Sequence, residues 1–218
     1  MQQYIDHTLL KPEATSAQVI RLCQEAKDFH FFGVCVNSTF IPLVARELNG
    51  SAIAAVAVVG FPLGAMATEA KAFEAEWCVR HGAREIDMVI AIGALKEKNY
   101  DNVRKDIHAV VTAARGALVK VIIETSLLSE DEKRIACALA VEGGAHFVKT
   151  STGFNGGGAT VADIQLMRSV VGPNIGVKAS GGVKSIEQAL ALIAAGANRI
   201  GTSSGVALVQ GKAVTGGY

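Results

Sequence analysis

The sequence lacks several features that mark whole classes of protein. Its 218 residues include 21 Lys and Arg against 20 Asp and Glu, a net charge of +1. It therefore has no basic excess of the kind that nucleic-acid-binding or membrane-surface proteins carry. No apolar run approaches the roughly 18 residues of a membrane span. The stretch after Met1 has neither the basic n-region nor the apolar h-region of a signal peptide. We expect a cytoplasmic, soluble protein with neither a nucleic-acid nor a membrane partner.

Metal-binding and disulfide patterns are missing as well. The four cysteines show no CxxC or CxH spacing, and the five histidines form no HxH or HExxH motif. This predicts buried, reduced thiols and no metal or other cofactor. Aromatic residues are scarce at 6%, whereas 23 residues are glycine and 50% are hydrophobic. Such a composition favours an α/β enzyme core over a β-sandwich.

Short apolar runs alternate with longer amphipathic stretches along the chain. Seven runs rich in Val, Ile and Ala predict strands that are covered on both faces. They lie near Gly33, Ala52, Arg84, Val119, Ala145, Ile175 and Asn198. The segment IDHTLL at Ile5 supplies an eighth strand. Eight units of about 27 residues predict a (β/α)8 TIM barrel over residues 1–218, with a short C-terminal tail from about residue 209.

A doubly wound open sheet is the alternative fold. It would normally carry a GxGxxG motif or a P-loop after its first strand, and the sequence has neither. Helix boundaries suit either fold. Capping boxes are predicted at Thr15 with Gln18, Ser129 with Glu132, and Ser185 with Gln188. Left-handed helix ends are predicted at Gly82, Gly143 and Gly196.

Ionisable residues interrupt three of the apolar strands. Asp87 lies in REIDMV, Lys149 in FVKTSTG and Lys178 in GVKASGG. Buried charges are costly unless they are paired or used in chemistry. An amine attacks a carbonyl only when neutral, and a second ammonium nearby, together with partial burial, favours loss of its proton. We therefore expect one lysine to be a Schiff-base nucleophile and the other its activator, with Asp87 transferring protons; spacing alone does not assign the two roles.

Glycine-rich turns follow the last three predicted strands. They read TSTG from Thr150, SGG from Ser180 and GTSSG from Gly201. In barrels, the turns after late strands commonly bind phosphate through backbone N–H groups. The sequence thus predicts a small phosphorylated substrate.

Lys120, Glu124 and Glu85 are expected to join Asp87 in an interior charge network.

Eight phrases identify a resemblance. They are IDHTLLKP, VCVNSTFIP, VVGFPLGA, EIDMVIAIGALK, KVIIETSLL, FVKTSTGF, GVKASGGV and RIGTSSG. From Ile5 to about Ser204 the chain resembles the 2-deoxyribose-5-phosphate aldolase family. The resemblance implies a class I aldolase that needs no metal and reversibly cleaves 2-deoxyribose 5-phosphate to glyceraldehyde 3-phosphate and acetaldehyde. We expect a homo-oligomer, a dimer or a tetramer, since the outer helices are rich in apolar residues.

The resemblance also implies residue roles. The Schiff-base lysine is Lys149, Lys178 perturbs it electrostatically and joins a proton relay, and Asp87 is the carboxylate of that relay. Thr152 is implied near the substrate hydroxyl or the relay water. Implied phosphate contacts are Gly153, Gly181, Gly182, Ser203 and Ser204.

Two positions leave questions open. Ala91 stands where relatives commonly have Asn, which alters hydrogen bonding around the site without removing a catalytic group. Some relatives use a C-terminal tyrosine in proton transfer, and Tyr218 is either such an accessory group or part of a disordered end. Two other functions also fit the turns. A phosphosugar isomerase or a different aldolase would use the same barrel, and a non-catalytic phosphosugar-binding protein would need no lysine pair.

Overall fold

Eight parallel strands form a closed barrel in which each strand pairs with the next along the chain and the last pairs with the first. The structure, a computed structural model, describes residues 1–212. The strands are β1 (Ile5–Leu9), β2 (Gly33–Val36), β3 (Ala54–Val59), β4 (Glu85–Val89), β5 (Leu118–Ile122), β6 (Phe147–Lys149), β7 (Gly176–Ser180) and β8 (Arg199–Thr202). The predicted (β/α)8 TIM barrel is confirmed, and the open sheet is wrong.

Helices connect the strands on the outside of the barrel. Within residues 1–212 they are α1 (Ser16–Asp28), α2 (Ile41–Glu47), α3 (Thr68–Arg80), α4 (Ile92–Lys96), α5 (Tyr100–Ala113), α6 (Glu130–Glu142), α7 (Val161–Val171), α8 (Ile186–Ala194) and α9 (Gly205–Val209). Single 3-10 turns cover Gln2–Tyr4, Ser38–Phe40 and Thr125–Leu127. Over the same described range, no helix combines the length and the apolar character needed to cross a bilayer.

Helix starts agree with the sequence patterns. Thr15 and Ser129 form complete capping boxes. Ser185 accepts a hydrogen bond from the Gln188 N–H, but the Gln188 side chain accepts from the N–H of Lys184, so that box is incomplete. Ala91 is the N-cap of α4 and offers no side-chain acceptor there.

One predicted helix end is wrong. Gly82 and Gly196 have left-handed backbones, with φ of 104° and 116°, but Gly143 keeps φ of −72° and Gly144 takes φ of 90° instead. Gly143 is needed for space rather than for backbone freedom. A Cβ there would lie 2.5 Å from the Cγ2 atom of Ile107 on α5, so glycine allows α6 to pack closely against α5.

The main apolar core lies between the barrel and its helices, while the barrel interior is divided. On the β1–β3 side, Leu10, Cys35, Ala54, Val56 and Val58 form a small apolar cluster. On the other side the interior contains charged residues. All four cysteines are free and buried, as the sequence predicts. Burial raises the pKa of the Cys35 thiol to about 11.

Two strand glycines make room for the charged interior. A Cβ on Gly33 of β2 would lie 2.7 Å from the Oδ1 atom of Asp6, and one on Gly201 of β8 would lie 3.1 Å from the Cε atom of Lys178. The first distance is one that real Cβ atoms essentially never show, and the second is tighter than ordinary van der Waals contact. A larger residue at Gly33 would therefore displace Asp6, and one at Gly201 would crowd Lys178. Residues 213–218 of the expected tail, Tyr218 among them, lie outside the described residues.

Candidate active site

Strand register brings the two predicted lysines together. Lys149 is the last residue of β6, and it is the Cα partner of Lys178 on β7. Asp87 on β4 is likewise the partner of Lys120 on β5. Side chains at paired positions of neighbouring parallel strands point to the same face. All four polar groups therefore project into the interior of the barrel.

Asp87 connects these side chains. Its Oδ2 atom accepts hydrogen bonds from Lys149 Nζ at 2.8 Å and from Lys178 Nζ at 2.7 Å, and its Oδ1 atom accepts from Lys120 Nζ at 2.7 Å. The two predicted lysines therefore share one carboxylate oxygen. Burial of Asp87 would raise its pKa, but the ammonium groups of Lys120, Lys149 and Lys178 outweigh burial and hold the pKa well below its ordinary value.

Lys178 has a second carboxylate partner, Asp6 on β1, at 2.5 Å. Burial alone would lower the pKa of Lys178, but the charges of Asp6 and Asp87 prevail and raise it above its ordinary value. Burial likewise opposes ionisation of Asp6, yet Lys178 and Arg199 lower the pKa of Asp6 to about 2. Asp6 and Lys178 are therefore both charged at neutral pH.

Arg199 on β8 closes the network from the other end. Its guanidinium contacts Asp6 at 2.9 Å and Glu85 at 3.1 Å, and it lies over the ring of Phe32 at 3.4 Å from the ring centroid. Glu85 in turn contacts Lys120 Nζ at 2.5 Å. Glu85 and Lys120 thus belong to the interior network, as expected. Its contacts link side chains from β1 and from β4 to β8 across the barrel interior.

The network contains more cations than carboxylates. Among the described residues, its cations are Lys120, Lys149, Lys178 and Arg199, and its carboxylates are Asp6, Glu85 and Asp87. Lys120, Lys178 and Arg199 each contact two carboxylates. Within residues 1–212, the only carboxylate that Lys149 contacts is Asp87. With all seven groups ionised the network carries one excess positive charge, and Lys149 is the cation in it with the fewest carboxylate contacts.

A cavity of about 180 Å³ opens at the ends of β6, β7 and β8. It is lined by Gly153, Gly157, Gly181, Gly182, Val183, Lys184, Gly201, Thr202, Ser203 and Ser204. All five predicted phosphate contacts are in this lining. Glycine backbones, two serine hydroxyls and one lysine suit an anionic group of phosphate size.

Thr152 does not line this cavity. Its Oγ1 atom donates to Glu124 Oε2 at 2.5 Å and accepts from the N–H of Phe154 at 3.1 Å. The expectation that Glu124 joins the interior network is wrong. Strand β5 ends at Ile122, and Glu124 has a left-handed backbone with φ of 58° that directs its side chain to the turn after β6.

No group of three or more His, Cys, Asp or Glu able to hold a metal ion is present in residues 1–212.

The sequence of this chain matches a known protein family. The model of the DeoC/LacD family aldolases matches residues 1–211. The chain belongs to this aldolase family. Family membership makes it an enzyme, a carbon–carbon lyase, and disfavours the isomerase and the non-catalytic binding protein.

Individual relatives agree with the DeoC/LacD assignment. A deoxyribose-phosphate aldolase from Bdellovibrio bacteriovorus is 59% identical over 218 residues, which cover 100% of this chain and 99% of the relative. One from Streptococcus sanguinis is 57% identical with the same coverage. A solved structure described as a unique tetrameric deoxyribose phosphate aldolase from Aeropyrum pernix has 32% identity and a TM-score of 0.90, covering 96% of this chain and 89% of that one.

Sequence reasoning missed several residues of this candidate site. Asp6 and Arg199 contact each other although they are 193 positions apart. Both signals were present, because each is a charged residue in an apolar strand, the criterion that identified Asp87. Lys184 and Gly157 also line the cavity. Lys184 lies two residues after the SGG turn, so its closeness to that turn in the sequence was a usable signal.

Proposed function

We propose that this aldolase reversibly cleaves 2-deoxyribose 5-phosphate to glyceraldehyde 3-phosphate and acetaldehyde through a Schiff base at Lys149. The observation that supports it most directly is the shared Asp87 oxygen, which holds Lys149 and Lys178 together beside a glycine-rich cavity. The names of the relatives supply the substrate. The pairing of a buried amine with an anion cavity is what an imine-forming phosphosugar enzyme requires.

Charge balance supports Lys149 as the nucleophile. Loss of one proton from the network leaves three cations facing three carboxylates, which removes the buried excess charge. Loss of the proton from Lys149 sacrifices the least favourable charge interaction. Its one carboxylate contact among residues 1–212 is Asp87 Oδ2, which Lys178 also contacts. Lys178 stays charged between Asp6 and Asp87 and acts electrostatically on its neighbour.

The proposed reaction begins when the neutral amine of Lys149 adds to C1 of the open-chain sugar. Loss of water from the carbinolamine gives a protonated imine. The C3 hydroxyl then loses its proton, the C2–C3 bond breaks towards the iminium, and glyceraldehyde 3-phosphate leaves. The enamine takes a proton at C2, and water releases acetaldehyde and the free amine. Asp87 and Lys178 serve as the proton relay in these steps.

The cavity at the ends of β6 to β8 binds the phosphate group in this proposal. Ser203 and Ser204 offer hydroxyl donors, Gly181 and Gly182 allow close approach of the backbone, and Lys184 supplies positive charge. A bound phosphate fixes the distance from the sugar's C5 end to the reacting carbon. Such positioning of the carbonyl beside the amine contributes to the rate.

Two measurements test this function. Purified protein should release acetaldehyde from 2-deoxyribose 5-phosphate, detected by a coupled dehydrogenase assay. Borohydride reduction in the presence of acetaldehyde should add an ethyl group to the protein, and peptide mass mapping should place it on Lys149. Release of acetaldehyde without any trapped mass would reject the imine, whereas trapping on another lysine would reject the assigned nucleophile.

We also propose that the chain forms a homo-oligomer. Three large apolar side chains are exposed in or beside α3: Leu63 at 63%, Met66 at 43% and Phe73 at 67%. Clustered exposed apolar groups are typical of interfaces, and the Aeropyrum pernix relative is described as tetrameric. Light scattering should give the mass of a dimer or a tetramer, and Phe73→Asp should reduce it. A monomeric mass for the unaltered protein would contradict the proposal.

A further inference from the structure

A buried carboxylate beside the candidate active site takes no part in the charge network. Glu124 follows β5 and is fully buried, and its backbone is left-handed, with φ of 58° and ψ of 68°. Left-handed backbone is unfavourable for a residue with a long side chain, and burial of an ionised carboxylate requires hydrogen-bond donors. Both costs indicate that the fold gains something specific from this side chain at this place.

All the donors that Glu124 receives from described residues come from one loop, between β6 and α7. The backbone N–H of Thr152 donates to the two carboxylate oxygens of Glu124 at 3.2 and 3.3 Å. The Thr152 hydroxyl donates at 2.5 Å, and the Asn155 Nδ2 atom donates at 2.9 Å. One carboxylate therefore holds both ends of the four-residue turn 152–155.

The residues next to Glu124 hold the start of the same loop. The N–H of Ile123 donates to the carbonyl oxygen of Lys149 at 3.0 Å, and that of Thr125 donates to the carbonyl oxygen of Thr150 at 3.0 Å. The left-handed residue lies between these two contacts. Its backbone conformation thus allows one neighbour to pair with the last residue of β6 and the other with the residue after it, while the side chain reaches the turn beyond.

The turn that Glu124 holds forms one side of the phosphate-sized cavity. Gly153 lies within the turn, Gly157 follows it, and both line the cavity. Gly153, Gly156 and Gly157 have φ of 88°, 68° and 72°. A loop with so many glycines loses much conformational entropy when it is ordered. The external hydrogen bonds to Glu124 therefore offset part of this cost and hold the turn in one shape.

We propose that Glu124 is a positioning residue that holds the 152–155 turn in its anion-binding shape and so sets the affinity for the substrate's phosphate group. This inference rests on the proposed function, because it assumes that phosphate occupies the cavity. Glu124 acts through the turn and not on the reacting carbon. Its loss therefore weakens phosphate binding while imine formation at Lys149 continues.

Glu124→Gln tests the role with little change in side-chain volume. The amide presents N–H donors where Thr152 and Asn155 also present donors, so part of the turn loses its acceptor. We expect inorganic phosphate, measured as a competitive inhibitor, to bind about tenfold more weakly. KM for 2-deoxyribose 5-phosphate should rise by a similar factor, with kcat reduced less. Turnover of unphosphorylated 2-deoxyribose and borohydride trapping with acetaldehyde should stay within about twofold of the unaltered protein.

Asp106→Asn is the matched control. Asp106 on α5 is also a buried carboxylate that accepts from a threonine hydroxyl, that of Thr68 at 2.9 Å, but it pairs with Lys71 at 2.7 Å and lies outside the cavity. The variant therefore perturbs a buried carboxylate at least as severely as Glu124→Gln does, away from the phosphate site. We expect this variant to leave phosphate affinity unchanged. Equal weakening of phosphate binding in both carboxylate variants would overturn the inference, because the effect would then reflect general loosening of the fold.

Asn155→Ala gives a second, milder test that does not disturb the buried carboxylate's other partners. It removes one of the donors to Glu124 and should weaken phosphate binding about threefold. Unchanged phosphate affinity in Glu124→Gln and Asn155→Ala overturns the positioning role even if the proposed function holds. If the unaltered protein itself binds no phosphate while acetaldehyde is still trapped on Lys149, the phosphate site of the proposed function is wrong, and the role of Glu124 falls with it.

Discussion

Two of the buried lysines that have carboxylate partners, Lys71 and Lys149, differ in their surroundings, and the difference is informative. Lys71 on α3 contacts Asp106 at 2.7 Å and donates to the carbonyl oxygen of Val89 at 3.1 Å. One cation there meets one carboxylate. Lys149 instead belongs to a network in which four cations share three carboxylates among the described residues.

Burial alone therefore does not identify a reactive lysine. A balanced pair such as Lys71–Asp106 leaves no net charge buried, whereas the network around Lys149 leaves an excess of positive charge when all its groups are ionised. Access also differs, because Lys149 is at the end of its strand on the side where the glycine-rich cavity opens. Charge imbalance together with a neighbouring cavity distinguishes a candidate catalytic lysine from a structural one.

Removing the terminal amine at each site should separate the two roles most widely. Lys149→Met is expected to lower kcat for 2-deoxyribose 5-phosphate by at least about 10⁴-fold, since no imine can form. Lys71→Met is expected to keep kcat within about threefold when assayed where it is folded. Steady-state kinetics on both variants measures this. Comparable losses of activity in the two variants would remove the distinction between the sites.

Lys178→Met tests the charge imbalance itself. With that ammonium gone, three cations face three carboxylates, so Lys149 has less reason to release its proton. We expect kcat at neutral pH to fall by about 10²- to 10³-fold. The acidic limb of the pH–kcat profile should move to higher pH by at least about one unit, because deprotonation of the nucleophile becomes harder. A profile that keeps its position would show that Lys178 does not act electrostatically.

The balanced pair should behave as a structural element. Lys71→Met leaves Asp106 buried without its cation, and we expect the free energy of unfolding to fall by about 3–5 kcal/mol. Replacing both partners, as Lys71→Met with Asp106→Leu, should recover most of that loss because no unpaired charge remains. Urea denaturation of the single and double variants gives the comparison. A double variant as unstable as the single one would contradict this account of the pair.

Acid should affect the network through Asp6. Its pKa is lowered from 3.8 to about 2 in the folded protein, so the folded state binds fewer protons than the unfolded state in that range. The stabilisation is present above about pH 4 and is lost as the pH falls through about 2, and it amounts to roughly 2 kcal/mol. Urea denaturation at several acidic pH values should show this loss. The slope should be smaller in Asp6→Asn, and an identical slope would refute the assignment.

Sequence patterns predicted the eight strands because strands covered on both faces are continuously apolar. They also drew attention to Lys149, Lys178 and Asp87, which the structure brings within hydrogen-bond distance of one another. Glu124 was misplaced for a local reason. The run VKVIIET suggests that the strand continues, whereas the backbone turns left-handed at Glu124, and no periodicity signals such a turn.

The order of strands and helices, the helix starts and the supply of charged residues were determined by the amino-acid sequence, because hydrophobic periodicity and capping are local properties. The partners of those charges were decided only by the tertiary structure. Asp6 meets Lys178 and Arg199 because β8 closes against β1. The balance of four cations against three carboxylates depends on that closure, since Asp6 comes from β1 and the other six groups come from β4 to β8.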